Sequence, residues 1–377
     1  MEIFGKCFDG NGDNVLKKVD VIIPVYKPGD EFKNTLKRLV KQTVAINKLI
    51  LIQTVPDDFA GEILKVNFDV DFDEDSKSNK NFHVPELVIH AVNQSEFDHG
   101  KTRNFGASYS DADYILFMTQ DAIPADKHLI ENLLKTFDGA SDGDSSDAGF
   151  DGTSEGAASD AGFDGASDGD SSSRINGSGK VINAISYARQ LPRKEADIVE
   201  ELTRLHNYPK ESRVKTAADL ENMGIKTYFC SDVCAMYDKK IFDELDGFVY
   251  PTIFNEDMIM ASKVMDEGYS VTYAADAKVI HSHSYTCMQQ LRRNFDLGIS
   301  QKMYSEVFDR VSSEKEGAGY AKKVVFTLLK KGLVFKAFYF CMQCGFKLVG
   351  YKLGKNYDRL PKPLILSLTS NKSFFGK

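Results

Sequence analysis

From residue 138 to residue 173 the chain has no lysine and no arginine, while Asp138, Asp142, Asp144, Asp147, Asp151, Glu155, Asp160, Asp164, Asp168 and Asp170 supply ten acids. Without them the chain holds 45 acidic and 47 basic residues, about +2, so the net charge of −8 is local to one segment. Neither sign dominates the remainder, and nucleic acid is not an expected partner. The same segment is short of apolar bulk, with only Phe150 and Phe163 to bury, too little to offset the entropy of ordering it. GASDGDSS at 139–146 and 165–172, and DAGFDG at 147–152 and 160–165, mark an internal duplication. It is predicted to be a disordered loop, since its alternating Asp and Gly lack the fixed register of a calcium repeat.

Cysteine is scarce too. Cys7, Cys230, Cys234, Cys287, Cys341 and Cys344 are scattered through 377 residues, which excludes a small disulfide-framed fold and favours free thiols in a reducing compartment. Cys341-Met-Gln-Cys344 has no second pair to make a zinc site. MEIFGKCFDGNGDNVLKK has no apolar core, so no secretory signal is expected and the protein is placed in the cytoplasm.

What remains reads as strands alternating with helices, hence a mostly parallel sheet. Val19–Tyr26, Lys48–Val55, Leu87–Val92 and Tyr114–Thr119 are expected strands. Helices are expected over about 30–41, 101–110 and 125–137, and 66–82 is a polar surface excursion. Further on, order is expected from 180, with a helix over about 194–206 and two short strands about Ser231 and Asp232. Helices over 238–245, 256–267 and 286–309 and short strands at 271–273 and 278–281 complete that half. Residues 320–362 carry ten Lys and Arg against Asp358 alone, with Phe326, Leu328, Leu329, Val334, Phe335, Phe338, Phe340, Phe346 and Leu348 between them. Lys336 and Lys347 interrupt the apolar run before the roughly 20 residues a span needs. Two readings stay open: a basic amphipathic segment on an anionic membrane surface, or a helical hairpin packed on the domain with solvated lysines.

Candidate chemistry gathers where elements end. Asp121 closes a buried strand, before Pro124 stops its continuation; ligands collect beyond the carboxyl ends of strands, although Asp121 also suits the cap of the following helix. Glu256 and Asp257 open a helix, where the dipole alone favours acids. His281 and His283, two apart on an extended segment, point to one side. A carboxylate and these imidazoles suit one divalent ion, and each is equally explained as a structural group.

Taken in order, VDVIIPVYKPGDEFKNTLKRLVKQT, FDHGKTRNFGASYSDADYILFMTQDA, YARQLPR, NEDMIMASKVMDEGY and AKVIHSHSYT resemble the family-2 inverting glycosyltransferases of GT-A fold. More narrowly they resemble the bacterial rhamnosyltransferase-like branch that builds cell-surface polysaccharides, over roughly residues 18–300. The resemblance implies an α/β GT-A nucleotide-sugar-binding domain with a mostly parallel central sheet flanked by helices, plus a C-terminal basic amphipathic helical segment. It implies a lead at 1–17, a nucleotide-sugar half at 18–137, the insert at 138–173, an acceptor and catalytic half at 174–310, and a membrane-associating region at 311–377. Pro24, Tyr26, Gln53, Arg103 and Gln120 would belong to the nucleotide pocket, with Arg292 and Arg293 on the diphosphate. Asp121, His281 and His283 would hold Mg²⁺ or Mn²⁺, Asp257 would be the base, and Glu256 would orient it or contact the acceptor. Ser231, Asp232 and the Arg189–Arg193 stretch would face the acceptor.

Two departures from the family stand out. Gln53-Thr54 replaces an acidic pair that reads the nucleobase, and Thr119-Gln120-Asp121 leaves the metal one carboxylate where Asp-x-Asp gives two. The implied activity is rhamnose transfer from dTDP-rhamnose to a lipid-linked glycan at the cytoplasmic face of the inner membrane. The alternatives are a UDP-sugar donor on the same fold, or a non-catalytic nucleotide-sugar-binding or scaffold protein.

Overall fold

The computed structural model describes residues 6–8, 14–58, 83–138, 173–177, 179–310 and 314–375. The acidic duplication and the 66–82 excursion lie outside the described residues. After a two-stranded pair, β1 (Lys6–Phe8) and β2 (Asn14–Leu16), nine strands form one mixed sheet. Its path is β5 (Glu86–Asn93), β4 (Lys48–Val55), β3 (Val19–Val25), β6 (Tyr114–Met118), β10 (Cys234–Asp238), β8 (Asn183–Leu191), β11 (Ser270–Ile280) and β7 (Ile123–Pro124), with β9 (Arg213–Lys215) also on β11. The pairs β5–β4, β4–β3, β3–β6 and β8–β11 are parallel, and only β10, β7 and β9 run against the common direction.

Strands that read as continuous apolar runs are those with both faces covered. Ile22, Ile50, Ile52, Ile115 and Phe117 pack on one side of the sheet, and Val21, Ile23, Leu49, Leu51, Leu116 and Met118 on the other. The helices that cover these faces are α1 (Asp30–Leu39), α2 (His99–Ala107), α3 (Leu129–Leu134), α5 (Lys239–Glu244) and α6 (Glu256–Asp266), while α4 (Ile198–Asn207) faces the C-terminal region.

Three expectations need correction. Pro124 does not end strand structure: it pairs with Val279 in β7, on the edge of the sheet where a missing N–H is tolerated. The two strands expected over 226–237 reduce to β10, because 224–226 is a 3₁₀ turn and Thr227–Val233 runs on without strand pairing. Conversely, the strands at 271–273 and 278–281 are one strand, whose register slips between Ala274 and Lys278.

The C-terminal region comprises α7 (Cys287–Met303), α8 (Glu314–Lys330), α9 (Val334–Lys355) and α10 (Lys362–Leu368). α8 and α9 form a hairpin whose inner face, Val324, Leu328, Ala337 and Phe340, packs on Ile198, Val199 and Leu202 of α4. α9 also lies backbone to backbone along α7. A Cβ on Gly350 would stand 2.2 Å from the Leu291 carbonyl oxygen, and one on Gly354 2.1 Å from that of Phe295. Glycine is what allows this approach. Gly354→Val is therefore expected to cost at least about 1–3 kcal/mol, read as a lower urea midpoint, and an unchanged midpoint would show that the helices separate freely.

The packed-hairpin reading thus holds for the inner face. The outer face is apolar and open: Phe326 is 69% exposed, Phe335 91% and Phe338 67%. No helix among the described residues is long and apolar enough to cross a membrane. The five cysteines whose side chains are described are free thiols.

Candidate active site

Asp121 sits at the tip of the turn between β6 and β7, closed by Ala122 N–H donating to the Thr119 carbonyl at 3.1 Å. Because Ile123 pairs with Ile280, the residues just beyond them, Asp121 and His281, are brought to the same sheet end. Asp121 Oδ2 stands 3.0 Å from His283 Nε2 and 3.5 Å from His281 Nε2, and the two Nε2 atoms are 2.9 Å apart. Asp121 therefore joins the histidines and does not cap the following helix. Burial would raise its carboxyl, but the adjacent His281 and His283 imidazoles, when they carry a proton toward it, hold it far below the usual range. Burial pushes the His281 imidazole down, toward the neutral form a metal needs.

Gln190 fixes which nitrogen of His281 faces the acid. Its amide Nε2 donates to Ser231 Oγ at 3.0 Å, so its Oε1 accepts from His281 Nδ1, also at 3.0 Å, and from Arg204. With Nδ1 protonated, His281 Nε2 offers a lone pair toward the Asp121 carboxylate. Two acceptors directed at one another need a cation or a shared proton between them. One ligand atom from each of Asp121, His281 and His283 lies within 4.8 Å of the others, and the donor set suits a divalent ion.

Gln120 has a different task from the one expected. Its Oε1 accepts from Tyr26 N–H at 2.8 Å and its Nε2 donates to the Tyr26 carbonyl at 2.9 Å, tying the exit of β3 to the Asp121 turn. This explains why a long amide occupies the place of a second carboxylate.

The second cluster is built on α2 and α6. Asn104 exchanges hydrogen bonds with the Phe248 backbone at 2.8 and 2.9 Å, and Asp98 accepts from Thr252 N–H at 2.7 Å. Gly100 allows that contact, since a Cβ there would stand 2.1 Å from the Val249 carbonyl oxygen. So the KTRN segment is bolted to the loop that leads into Glu256. Asn255 then takes a left-handed turn (φ 67°), which Asn tolerates, and α6 begins.

Arg103, buried, reaches two acids: Nη1 to Glu256 Oε1 at 2.8 Å and Nε to Asp232 Oδ2 at 3.3 Å. His99 Nδ1 stands 3.6 Å from the same Glu256 oxygen. Asp257 is held by its own neighbours, accepting from Met258 N–H at 2.8 Å and from Asp232 N–H at 3.3 Å. Burial, then the charges of Glu256 and Asp232, raise the Asp257 carboxyl well above the carboxylate range. Asp232 is pushed up to about 7 by burial, against the pull of Arg103. Burial opposes ionisation of Glu256 as well, yet Arg103 and then His99 keep it below its usual value. The pair is thus split into an anion and a strong base.

Both clusters line one cleft of about 910 Å³, together with Arg293 and, from α9, Lys336, Gln343 and Lys347. Arg103, Asp121, Glu256, Asp257, His281, His283 and Arg293 are brought together there. Pro24, Tyr26, Gln53, Gln120 and Arg292 are outside its lining; Pro24 pairs with Ile52, and Gln53 with Val25, at the ends of β3 and β4. Ser231 and Asp232 line it, whereas Arg189 is buried against the Tyr208 carbonyl and Arg193 pairs with Glu31. Sequence reasoning missed His99 and the orienting role of Gln190, although both lie in stretches that carry the resemblance, FDHGKTRN and YARQLPR.

The family model for glycosyl transferase family 2 matches residues 20–156. The O-antigen chain rhamnosyltransferase RfbN of Salmonella typhimurium is 32% identical over 361 residues, covering 95% of this chain and 96% of the relative. WbaN of Salmonella anatum, also described as an O-antigen chain rhamnosyltransferase, is 28% identical over 359 residues, covering 94% and 95%. A mannosyltransferase from Pyrobaculum calidifontis, solved with GDP-Man and Mn²⁺, aligns with a TM-score of 0.48 at 10% identity, over 91% of this chain and 88% of that one. The mixed, mostly parallel sheet flanked by helices is of GT-A type, and the chain belongs to glycosyltransferase family 2, as a glycosyltransferase of its rhamnosyltransferase-like branch.

Proposed function

We propose that the chain is an inverting, metal-dependent rhamnosyltransferase that moves rhamnose from dTDP-rhamnose to a lipid-linked O-antigen glycan at the cytoplasmic face of the cell membrane. The observation that supports this most is one cleft holding both the Asp121–His281–His283 cluster and Asp257, in a relative of RfbN and WbaN. Asp121, His281 and His283 would hold Mg²⁺ or Mn²⁺, and their two imidazoles favour Mn²⁺. When bound, such an ion neutralises the donor's diphosphate.

The chain's own residues do the remaining work. Asp257, fixed by two backbone N–H groups, takes the proton of the acceptor hydroxyl. The hydroxyl oxygen bonds to the anomeric carbon as the bond from that carbon to the diphosphate oxygen breaks with its electron pair. A single displacement inverts the centre. Glu256, kept anionic by Arg103, sustains the basicity of Asp257. On this reading 18–137 serves the donor, 174–310 the acceptor, and 311–377 the membrane. Phe326, Phe335 and Phe338 stand exposed among the exposed Lys322, Lys323, Lys330 and Lys331, a composition suited to an anionic lipid surface.

A thermal-shift panel of dTDP-rhamnose, UDP-glucose and UDP-N-acetylglucosamine, with and without Mn²⁺, tests the donor. We expect dTDP-rhamnose alone to stabilise, by about 2.7 kcal/mol at a hundred times its Kd, only with metal and not in Asp121→Ala. Stabilisation by a UDP-sugar instead removes rhamnose from the reading. A shift that survives Asp121→Ala removes the cation from the cluster. Binding without turnover of any acceptor, unchanged in Asp257→Asn, makes the protein a binding module.

A further inference from the structure

We propose that Arg204 is a positioning residue for the divalent ion: it holds the side-chain amide of Gln190 one way round, and so selects the His281 tautomer whose Nε2 can bind metal. The inference rests on the metal reading of Asp121, His281 and His283 given above and adds a residue outside that set. Gln190 is buried and meets three groups. Its Oε1 faces His281 Nδ1 at 3.0 Å and the Arg204 guanidinium, and its Nε2 faces Ser231 Oγ at 3.0 Å. Two of these neighbours are indifferent to its orientation. A hydroxyl accepts from an amide nitrogen or donates to an amide oxygen, and a neutral imidazole nitrogen does either according to its tautomer. A guanidinium only donates. With Gln190 turned over, its NH₂ group would stand against the Arg204 N–H, two donors with no acceptor between them, so of the three it is Arg204 that keeps the oxygen toward His281.

The consequence falls on the far side of the imidazole. An oxygen at Nδ1 keeps the proton on Nδ1 and leaves the Nε2 lone pair directed at Asp121 and His283, 3.5 and 2.9 Å away. An NH₂ group at Nδ1 would move the proton to Nε2, the ligand atom itself, and a protonated nitrogen binds no metal. α4 is built to present the guanidinium there. Its apolar side, Ile198, Val199 and Leu202, is taken by the α8–α9 hairpin, which leaves Glu200 and Arg204 to line the cleft. Glu200, one turn before Arg204, accepts from Arg204 Nε at 2.7 Å and from the His283 backbone N–H at 3.3 Å. One acid thus orients the guanidinium and anchors the segment that carries the second histidine.

Charge and tautomer predict opposite signs. Arg204 is a cation beside a cation site, so its loss should tighten Mn²⁺ binding by Coulomb's law, the more so because Glu200 keeps its charge. Its loss as the holder of the tautomer should weaken binding. Mn²⁺ alone, titrated into the full chain and read by the fall of its free electron paramagnetic resonance signal, is expected to bind about 10 to 100-fold more weakly to Arg204→Met. Arg204→Gln, which keeps a hydrogen-bond partner for Glu200 but donates or accepts indifferently, should lose part of the same affinity. Histidine ¹⁵N spectra of the metal-free chain should show the His281 proton on Nδ1 in the parent and partly on Nε2 in both variants, a signature that lost packing would not give. A carboxylate accepts through either oxygen, so in a Gln190→Glu background Arg204→Met should cost no more than about threefold. Equal or tighter Mn²⁺ binding in Arg204→Met, an unchanged His281 tautomer, or a loss as large in the Gln190→Glu background overturns the proposal and leaves the metal site standing. Mn²⁺ binding that is absent in the parental chain, or indifferent to Asp121→Ala, overturns the metal reading and this proposal with it.

Discussion

Asp257→Asn is expected to lower the rate of sugar transfer by roughly 10² to 10⁴-fold while leaving the donor Kd within about twofold. The substitution keeps the size of the side chain and one acceptor for the Met258 N–H, so α6 should still start where it does. What disappears is a carboxylate whose proton affinity has been raised by burial and by Glu256 and Asp232. A base of that kind must be ionised to work, so the acid limb of kcat/KM should lie above the ordinary carboxylate range. Glu256→Gln removes one of the negative neighbours, lowers the proton affinity of Asp257, and should move the limb to lower pH. Single-turnover transfer across pH 5 to 9 reads both effects. Transfer by Asp257→Asn at the parental rate would take Asp257 out of the base role, and a limb unmoved by Glu256→Gln would uncouple the pair.

How much of this site was legible follows from how local each signal is. Buried strands such as β3, β4 and β6 announce themselves within five to eight residues, and their bounds agree with the structure to a residue or so. Asp121, His281 and His283 were also visible, because acids and imidazoles at strand ends stand out against apolar runs. The pairing that joins them was not: Ile123 meets Ile280 across more than 150 residues, through a two-residue strand that Pro124 argued against. Gln120 was read as a nucleotide-pocket residue because nothing near it in sequence reveals that the Tyr26 backbone occupies both ends of its amide. The C-terminal lysines suggested a surface segment, and the glycines that press α9 onto α7 carry no hydrophobic signal at all. Arg103 was read as a nucleotide contact from its place in the KTRN motif, whereas its partners are Asp232 and Glu256, far along the chain.

Those partners make Arg103→Met the most destabilising change expected here, about 3–5 kcal/mol at pH 8, the range for breaking a buried ion pair from one side. Glu256 and Asp232 are each nearly inaccessible, and the loss of Arg103 leaves Glu256 with His99 and the weaker influence of Arg293, with Asp257 adding a third acid. The pH dependence separates charge from packing. Without the guanidinium, burial raises the folded-state pKa of Glu256 and Asp232 above their unfolded values, so between those values the folded chain binds more protons than the unfolded one. Stability then falls as pH rises through that window and is regained as pH is lowered toward the unfolded values. Urea midpoints at pH 5 and pH 8 should therefore show a much smaller deficit at the lower pH. Arg103→Lys, which keeps the charge but not the fork that spans two acids, should fall between parent and Met. An equal deficit at both pH values would mean that Arg103 matters for its packed volume and that the acids around Asp257 have some other means of staying apart.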